Sequence, residues 1–169
     1  MADIKVRYLD SQMPKLNVID NGDWIDLRVV SAVAVLNTEY EIKAGFDLSR
    51  HNNWNSRSKI HYRKDDVIVC RLGVSMELPV GMKAKIIPRS SLFKNHGLML
   101  ANSVGAIDYS YRGDDDEWIL MLYATRDGSL EKYERIAQFD VVPSPQFTFE
   151  EVKKLSDQSR GGFGTTGII

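Results

Sequence analysis

Short stretches of apolar residues, either alternating or continuous, recur along the whole chain with turn residues between them. The first, IKVRYLD, alternates Ile4, Val6 and Tyr8 with two basic residues, which predicts a strand with one buried face. Longer β-type runs follow: WIDLRVVSAVAVL, DVIVCRLGVSMEL, MKAKIIPRSSL, LMLANSVGAI, WILMLYATR and RIAQFDVVPS. Many short strands with little helical periodicity predict an all-β fold, either a sandwich or a barrel.

Three segments depart from this pattern. Phe147 to Asp157 fits either a helix capped by Thr148 or a last strand that ends at Val152. Residues 37–66 are polar and longer than a usual connection between strands, so we expect a surface hairpin or a flexible loop. The terminal RGGFGTTGII is too rich in glycine to pack alone and is predicted to be a flexible C-terminal arm. The chain thus divides into a β domain (1–158, with an insertion at about 37–66) and an arm (159–169).

Composition narrows the class of protein. A chain of 169 residues suits one domain with a substantial core, and its net charge of −1 gives no basic excess for nucleic acid. No apolar run reaches the roughly 18 residues of a membrane-spanning helix, and MADIKVRYLD is too charged for a secretion signal. The single cysteine, Cys70, excludes an internal disulfide and fits a reducing compartment. We therefore expect a soluble, intracellular protein that binds neither nucleic acid nor membrane.

The most distinctive stretch is NSVGAIDYSYRG, residues 102–113. It predicts a β-hairpin whose turn brings Asp108, Tyr111 and Arg112 close together. Gly105 and Gly113 bracket it, as expected where the backbone takes unusual dihedrals or approaches a ligand. A carboxylate beside an aromatic ring suits proton abstraction from water next to a flat substrate. An ordinary hairpin with an Asx-turn at Asp108 explains the same residues.

Four further motifs surround this stretch in a fixed order: GDWIDLR (22–28), PRSSL (88–92), RIAQF (135–139) and RGGFGTTG (160–167). Together the five motifs resemble those of the trimeric dUTPases, the dUTP nucleotidohydrolases, and of their phage-type members in particular. The resemblance runs from about Lys5 to Gly167. It implies a distorted jelly-roll β-barrel, a homotrimer with shared active sites, and hydrolysis of dUTP to dUMP and pyrophosphate. That reaction limits uracil incorporation into DNA and supplies dUMP for thymidylate synthesis. The implied location is the cytoplasm, that of the host if the gene is a phage's.

The resemblance also implies a role for each motif. Asp108 would be the general base that deprotonates the attacking water, and Tyr111 would pack under the sugar and exclude a 2′-hydroxyl. The phosphates would be contacted by Arg89, Ser90, Ser91 and Gln138, and the uracil by Asn102, Gly105, Ala106 and Ile107. The arm would add Arg160, Phe163, Gly164, Thr165 and Thr166. The residues themselves agree in part, since the guanidinium of Arg89 matches phosphate oxygens. Serines that cap a turn and a solvent-facing Gln138 are the alternatives.

Mg²⁺ is the implied cofactor. A triphosphate carries about four negative charges, and Mg²⁺ binds such groups through phosphate oxygens and water. The resemblance implies that Asp26 assists the metal indirectly, through water; capping of the turn after Trp24 is the alternative role for this residue. The segment AGFDL, residues 44–48, matches the usual form of the first motif better than GDWIDLR does, so Asp47 is an alternative to Asp26. GDWIDLR is preferred because the strand and loop before it have the expected lengths and Leu27-Arg28 continues the match. The acidic run Asp114 to Glu117 is predicted to be a solvated loop rather than a metal site.

Two other functions agree with parts of the sequence. A dCTP deaminase shares the fold and an RSSL-type motif, but it needs a glutamate in the strand after the central stretch, where WILMLYA has no acid. A regulatory protein could use the insertion at 37–66 to bind a protein partner, with Tyr40, Phe46, Trp54 and Tyr62 as anchors. Packing of these aromatics onto their own barrel explains them as well. One departure from the family concerns Arg160, which precedes Phe163 by two residues fewer than in many members, so its reach to the terminal phosphate is shortened.

Overall fold

The computed structural model describes residues 3–18, 22–36 and 59–156, and within these ranges the chain forms twelve strands and one short helix. The strands are β1 (Lys5–Tyr8), β2 (Ile25–Arg28), β3 (Ser31–Leu36), β4 (Lys59–Tyr62), β5 (Val67–Arg71), β6 (Val74–Glu77), β7 (Met82–Pro88), β8 (Leu98–Leu100), β9 (Gly105–Asp108), β10 (Ile119–Ala124), β11 (Gly128–Glu131) and β12 (Arg135–Pro143). The helix is α1 (Ser91–His96). The predicted all-β fold is confirmed.

Two four-stranded antiparallel sheets form the body of the domain. Their strand orders are β3-β5-β10-β8 and β2-β12-β7-β9, and two-stranded ribbons pair β1 with β6 and β11 with β4. Most neighbours within a sheet come from distant parts of the sequence, so the chain crosses repeatedly from one sheet to the other. Such crossovers are the topology expected of the predicted jelly-roll barrel.

One hydrophobic core joins the two sheets. β10 shows the period of two most clearly, because Leu120, Leu122 and Ala124 are buried while Met121 and Tyr123 remain partly exposed. The other sheet contributes residues such as Phe139, whose ring meets that of Trp118 edge-on at 5.1 Å between centroids. Cys70 lies in this core, and burial raises the pKa of its thiol to about 12.

Both predictions for the segment after β12 are wrong. Residues 144–156 form neither a helix nor a strand, and Phe147, Phe149 and Leu155 are 73%, 92% and 95% exposed. Phe147 and Phe149 contact each other edge-on at 5.5 Å between ring centroids. An apolar stretch without a partner strand or a helix-packing face gains too little burial to stabilise a regular strand or helix.

Other local features also differ from the sequence prediction. The run MKAKIIPRSSL is not one strand, because β7 ends at Pro88 and α1 begins at Ser91. Helix α1 ends at Gly97, which adopts φ 66° and donates its N–H to the Phe93 carbonyl at 2.8 Å. The end of the predicted hairpin or loop at 37–66 is strand β4, while the stretch 37–58 and the boundary at residue 158 lie outside the described residues. Among the residues described, no helix is long and apolar enough to cross a bilayer.

Candidate active site

The central stretch does not form the predicted hairpin. Residues 102–104 make a turn in which Ser103 has φ 63°, and β9 then pairs with β7. No described strand pairs with the other side of β9, which is the last strand of its sheet. After β9 the chain turns at Tyr109 and enters an irregular loop. β9 is therefore an edge strand, and the backbone groups of its outer edge have no strand partner. A Cβ at Gly105 would lie 3.0 Å from the Ile86 Cβ, so glycine permits the close pairing of β9 with β7.

Asp108 ends β9 with an exposed carboxylate held in an Asx-turn. Its Oδ1 accepts the backbone N–H of Ser110 at 2.7 Å and the Ser110 hydroxyl at 2.5 Å. The hydroxyl bond, followed by the backbone bond, lowers the pKa of Asp108. The Asx-turn that was the alternative interpretation is thus present, and it holds an ionised carboxylate in a fixed position.

Tyr111 is fixed at both ends. Its backbone N–H donates to the Asp108 carbonyl at 3.3 Å, and its hydroxyl donates to the Glu117 carbonyl at 3.1 Å. The residue remains 38% exposed, and its partial burial raises the pKa of the phenol. The carboxylate and the ring are therefore neighbours, as predicted, although a turn rather than a hairpin brings them together.

A second group of predicted residues meets at Asp26. This residue lies on β2 opposite Gln138 of β12, and Gln138 in turn lies opposite Ile87 at the end of β7. Arg89 follows β7, and its Nε lies 2.9 Å from Asp26 Oδ1. The first, second and fourth motifs thus converge on one carboxylate. Asp47, the alternative to Asp26, lies outside the described residues.

The structure adds Arg135, a residue to which the sequence analysis gave no role. Its Nη1 lies 2.9 Å from Asp26 Oδ2, so the carboxylate is held between two guanidinium groups. A bulge in β12 explains the position: Ile136 and Ala137 both face the core, at 0% and 1% exposure, and the strand then continues with the half-buried Gln138. Arg135 and Gln138 consequently share the outer side. The sequence shows that the RIAQF motif begins with a basic residue, but it does not show that this residue pairs with Asp26 on β2.

The serines of the second motif lie beside a cavity. Ser90 precedes α1 without a capping bond from its side chain, and Ser91 begins the helix. A largely apolar cavity of about 560 Å³ is bordered by Arg89, Ser90, Phe93, Met99 and Ser103, among other residues. The cavity connects the second motif with the turn at 102–104. In this turn the backbone carbonyl of the exposed Asn102 accepts the Val104 N–H at 2.6 Å.

Within one chain, the carboxylates of Asp26 and Asp108 stand far apart. Asp26 aligns through β12 with Ile87, whereas Asp108 aligns with Lys83, near the other end of β7. Across the sheet the two residues are three strand spacings of ~4.8 Å apart, and along the strands they are about four residues of ~3.3 Å apart. Because these two directions are perpendicular, the separation is roughly 19 Å. The described part of the chain does not include the arm residues Arg160, Phe163, Gly164, Thr165 and Thr166. The reach of Arg160 to the terminal phosphate therefore stays a prediction.

The acidic run is only partly the solvated loop that was predicted. Asp114 and Asp115 are exposed, but Glu117 is 5% exposed and bonded to Arg71 and to the Gly73 backbone. In the described ranges, no group of three or more His, Cys, Asp or Glu side chains is suited to hold a metal ion.

Known proteins share both the sequence and the fold. Residues 31–167 match the sequence model of the dUTPase family. The chain is 38% identical to the SPbeta prophage-derived deoxyuridine 5'-triphosphate nucleotidohydrolase of Bacillus subtilis (strain 168), over 97% of each protein. It is 41% identical to the deoxyuridine 5'-triphosphate nucleotidohydrolase of Hydrogenobaculum sp., over 62% of this chain and 78% of that protein. Its fold is similar to that of the Staphylococcus bacteriophage 80alpha dUTPase, with a TM-score of 0.66 and 16% identity over 99% of this chain and all of that one. The dUTPase of phage phi11 of S. aureus gives a TM-score of 0.67 and 12% identity, over 90% and 98% of the two chains.

Proposed function

The chain belongs to the dUTPase family, and from that premise we infer that it hydrolyses dUTP to dUMP and pyrophosphate. The activity would limit uracil incorporation into DNA and supply dUMP, in the cytoplasm of the cell that makes the protein. Deamination of dCTP is not favoured, because β10 contains no acidic side chain. The resemblance recognised in the sequence is confirmed by the family match.

The observation that carries the site assignment is the separation of Asp108 from the Asp26 group. A general base must come within about 3 Å of the proton that it takes. With roughly 19 Å between the carboxylates, as the strand spacings give, Asp108 does not reach water beside phosphates held by the same chain. Each chain therefore supplies two half-sites, and a complete site needs a neighbouring copy. This separation supports a homotrimer with shared active sites.

In the first half-site, Asp108 is the general base. The Ser110 bonds keep its carboxylate ionised, so it can accept a proton from water that attacks the α-phosphorus in line with the departing pyrophosphate. Tyr111 packs under the deoxyribose. The uracil lies against the turn and strand just before Asp108, where it contacts Asn102, Gly105, Ala106 and Ile107. The open outer edge of β9 supports this placement, since unpaired backbone groups can read the polar edge of a base.

In the second half-site, Arg89, Ser90, Ser91 and Gln138 bind the phosphates, and we add Arg135 to them. Asp26 holds Arg89 and Arg135 so that their remaining N–H groups are presented together, which is the arrangement that stabilises charge developing on phosphate oxygens. The arm would close over the substrate with Arg160, Phe163, Gly164, Thr165 and Thr166 and exclude water.

Mg²⁺ fits this second half-site as a partner of the substrate rather than of the protein alone. Both oxygens of Asp26 are engaged by guanidinium groups, yet each keeps a lone pair, and the Gln138 amide lies opposite in the ladder. These groups suit water molecules around a metal whose direct ligands are phosphate oxygens. When bound, Mg²⁺ would neutralise charge on the phosphates. The phi11 phage dUTPase is described with a structural Mg(II) ion.

A second, regulatory function would use residues 37–66 to bind a protein partner. The phage 80alpha dUTPase is described as controlling transfer of virulence genes by a proto-oncogenic G protein-like mechanism. Deleting residues 38–57 removes no residue of β3 or β4, so dUTP turnover should persist. Loss of turnover would show instead that the insertion serves the enzyme itself.

A complementation experiment tests the shared site. Asp108→Asn and Arg89→Ala are each expected to be inactive, because each lacks one half-site. If the halves come from neighbouring copies, random mixing of the two variants in equal amounts by co-refolding should restore about a quarter of the sites of a cyclic trimer. If one chain holds the whole site, no mixture should recover activity.

A further inference from the structure

Glu117, just after the central stretch, forms an ion pair with Arg71 that takes no part in the chemistry proposed above. Glu117 Oε2 accepts from both Nε and Nη2 of Arg71, and Oε1 accepts the backbone N–H of Gly73 at 2.8 Å. The Glu117 side chain is 6% exposed, while that of Arg71 is 41% exposed. Burying a carboxyl group this deeply is costly unless hydrogen-bond donors such as these surround it.

The backbone beside Glu117 is joined to the barrel as well. Trp118, which is fully buried, donates its N–H to the Val74 carbonyl at 2.9 Å and accepts the Leu72 N–H at 3.0 Å. The turn between β5 and β6 thus holds both the side chain of Glu117 and the residue after it. The carbonyl of Glu117 is consequently a rigid point of the structure.

That carbonyl is the acceptor of the Tyr111 hydroxyl, at 3.1 Å. The chain between the two residues, from Arg112 to Asp115, is exposed. Without the hydroxyl bond, the outer end of the Tyr111 ring would have no polar attachment to the barrel. A ring that blocks a 2′-hydroxyl discriminates only if it does not move aside, because a displacement of about 1 Å changes the fit of a binding site.

We propose that Glu117 and Arg71 are positioning residues for sugar selection, because together they immobilise the carbonyl that fixes the Tyr111 ring. The inference rests on the proposed packing of Tyr111 under the deoxyribose. It assigns the selectivity against UTP to an ion pair that does not touch the substrate, in addition to the ring itself.

The test compares kcat/KM for dUTP with kcat/KM for UTP, at a temperature below the Tm of every variant. In Tyr111→Phe the ring stays and the bond is lost, and the dUTP-to-UTP ratio should fall about fivefold to tenfold, the effect of one neutral hydrogen bond. Glu117→Gln keeps an acceptor for Gly73 and loses the ion pair, and should lower the ratio in the same direction. Arg71→Lys keeps the charge but not the double contact, and should lower it less.

Two controls separate positioning from general destabilisation. Tyr123→Phe removes a hydroxyl bond, to Asp65 at 2.5 Å, from a tyrosine that is 37% exposed, close to the 38% of Tyr111. Ile68→Val removes a methyl group from the core and lowers stability without touching the anchor. Both should keep the wild-type ratio.

Tyr111→Ala distinguishes this inference from the function on which it rests. A wild-type ratio in Tyr111→Ala would show that the ring does not select the sugar, and both statements would be wrong. A lowered ratio in Tyr111→Ala, with wild-type ratios in Tyr111→Phe and Glu117→Gln, would overturn the anchoring inference alone. If Glu117→Gln does not fold, Arg71→Lys against Ile68→Val tests the ion pair, and Tyr111→Phe against Tyr123→Phe tests the hydroxyl bond.

Discussion

Asp26 joins three motifs, so its replacement by asparagine is the most informative single change in the phosphate half-site. The carboxylate accepts two charged hydrogen bonds, each at 2.9 Å, from Arg89 and Arg135. The Asp26 side chain is 24% exposed, and those of Arg89 and Arg135 are 29% and 47% exposed. The ion pairs are therefore neither fully buried nor fully exposed to solvent. Exposed ion pairs contribute about 0.2–1 kcal/mol and buried charged hydrogen bonds about 1.5–3 kcal/mol.

Asp26→Asn should therefore lower the free energy of unfolding by about 1–2 kcal/mol, in the middle of those ranges. The amide retains one acceptor, but it cannot serve both guanidinium groups, and these are left as neighbouring positive charges. Without a common anchor, Arg89 and Arg135 lose their fixed orientation toward the phosphates. We expect kcat/KM for dUTP to fall about 10-fold to 100-fold, which is ~1.4–2.7 kcal/mol of transition-state stabilisation.

The assay combines urea unfolding at one fixed protein concentration with steady-state pyrophosphate release, since the stability of an oligomer depends on its concentration. Asp140→Asn is the matched control, because Asp140 lies half-buried on the same strand, β12, and forms no ion pair with another described residue. Equal unfolding free energies and equal kinetic constants in the two variants would refute the role assigned to Asp26.

Three further predictions concern the fold and the general base. Gly73→Ala should be strongly destabilising, because Gly73 has φ 69° and an added Cβ would lie 2.7 Å from a methyl group of a core valine. Gly81→Ala is the control: Gly81 has φ 81° and no atom within 4 Å of the added Cβ, so only backbone strain should lower stability. Thermal unfolding compares the two variants. Ser110→Ala removes the hydroxyl that lowers the pKa of Asp108, so the acid limb of the pH profile of kcat/KM, where activity is lost as the base becomes protonated, should move to higher pH. Cys70, buried and with a thiol pKa of about 12, should react with a thiol reagent only after unfolding.

The alternating pattern predicted the fold because it reports burial directly. In β1, Val6 and Tyr8 are partly buried, while Lys5 and Arg7, which alternate with them in the sequence, are exposed. Asp26, Arg89 and Gln138 were singled out from three of the motifs, and the sheet brings these residues together. Order along the chain is enough for such predictions, because each depends on a local pattern.

The predictions that were wrong depend on contacts with distant residues, which a local sequence pattern does not identify. β9 was expected to pair within its own hairpin, but its partner is β7, and that choice is made by the register of the whole sheet. Glu117 belongs to an acidic run whose composition predicts exposure, and only the position of Arg71 explains its burial. The apolar residues at Phe147 and Phe149 suggested an ordered element, yet the described chain offers them nothing to pack against.

The most direct test of the central claim is pyrophosphate release with Mg²⁺, measured for the wild type beside Asp108→Asn with dUTP, dCTP, dTTP and UTP. We predict release from dUTP in strong preference to the other three nucleotides, and its loss in Asp108→Asn, whose exposed position makes a folding defect a poor explanation. Unfolding curves of the two proteins should coincide. No release from dUTP by the wild type, or release that persists at the same rate in Asp108→Asn, would contradict the assignment of this chain as a dUTP hydrolase with Asp108 as its base.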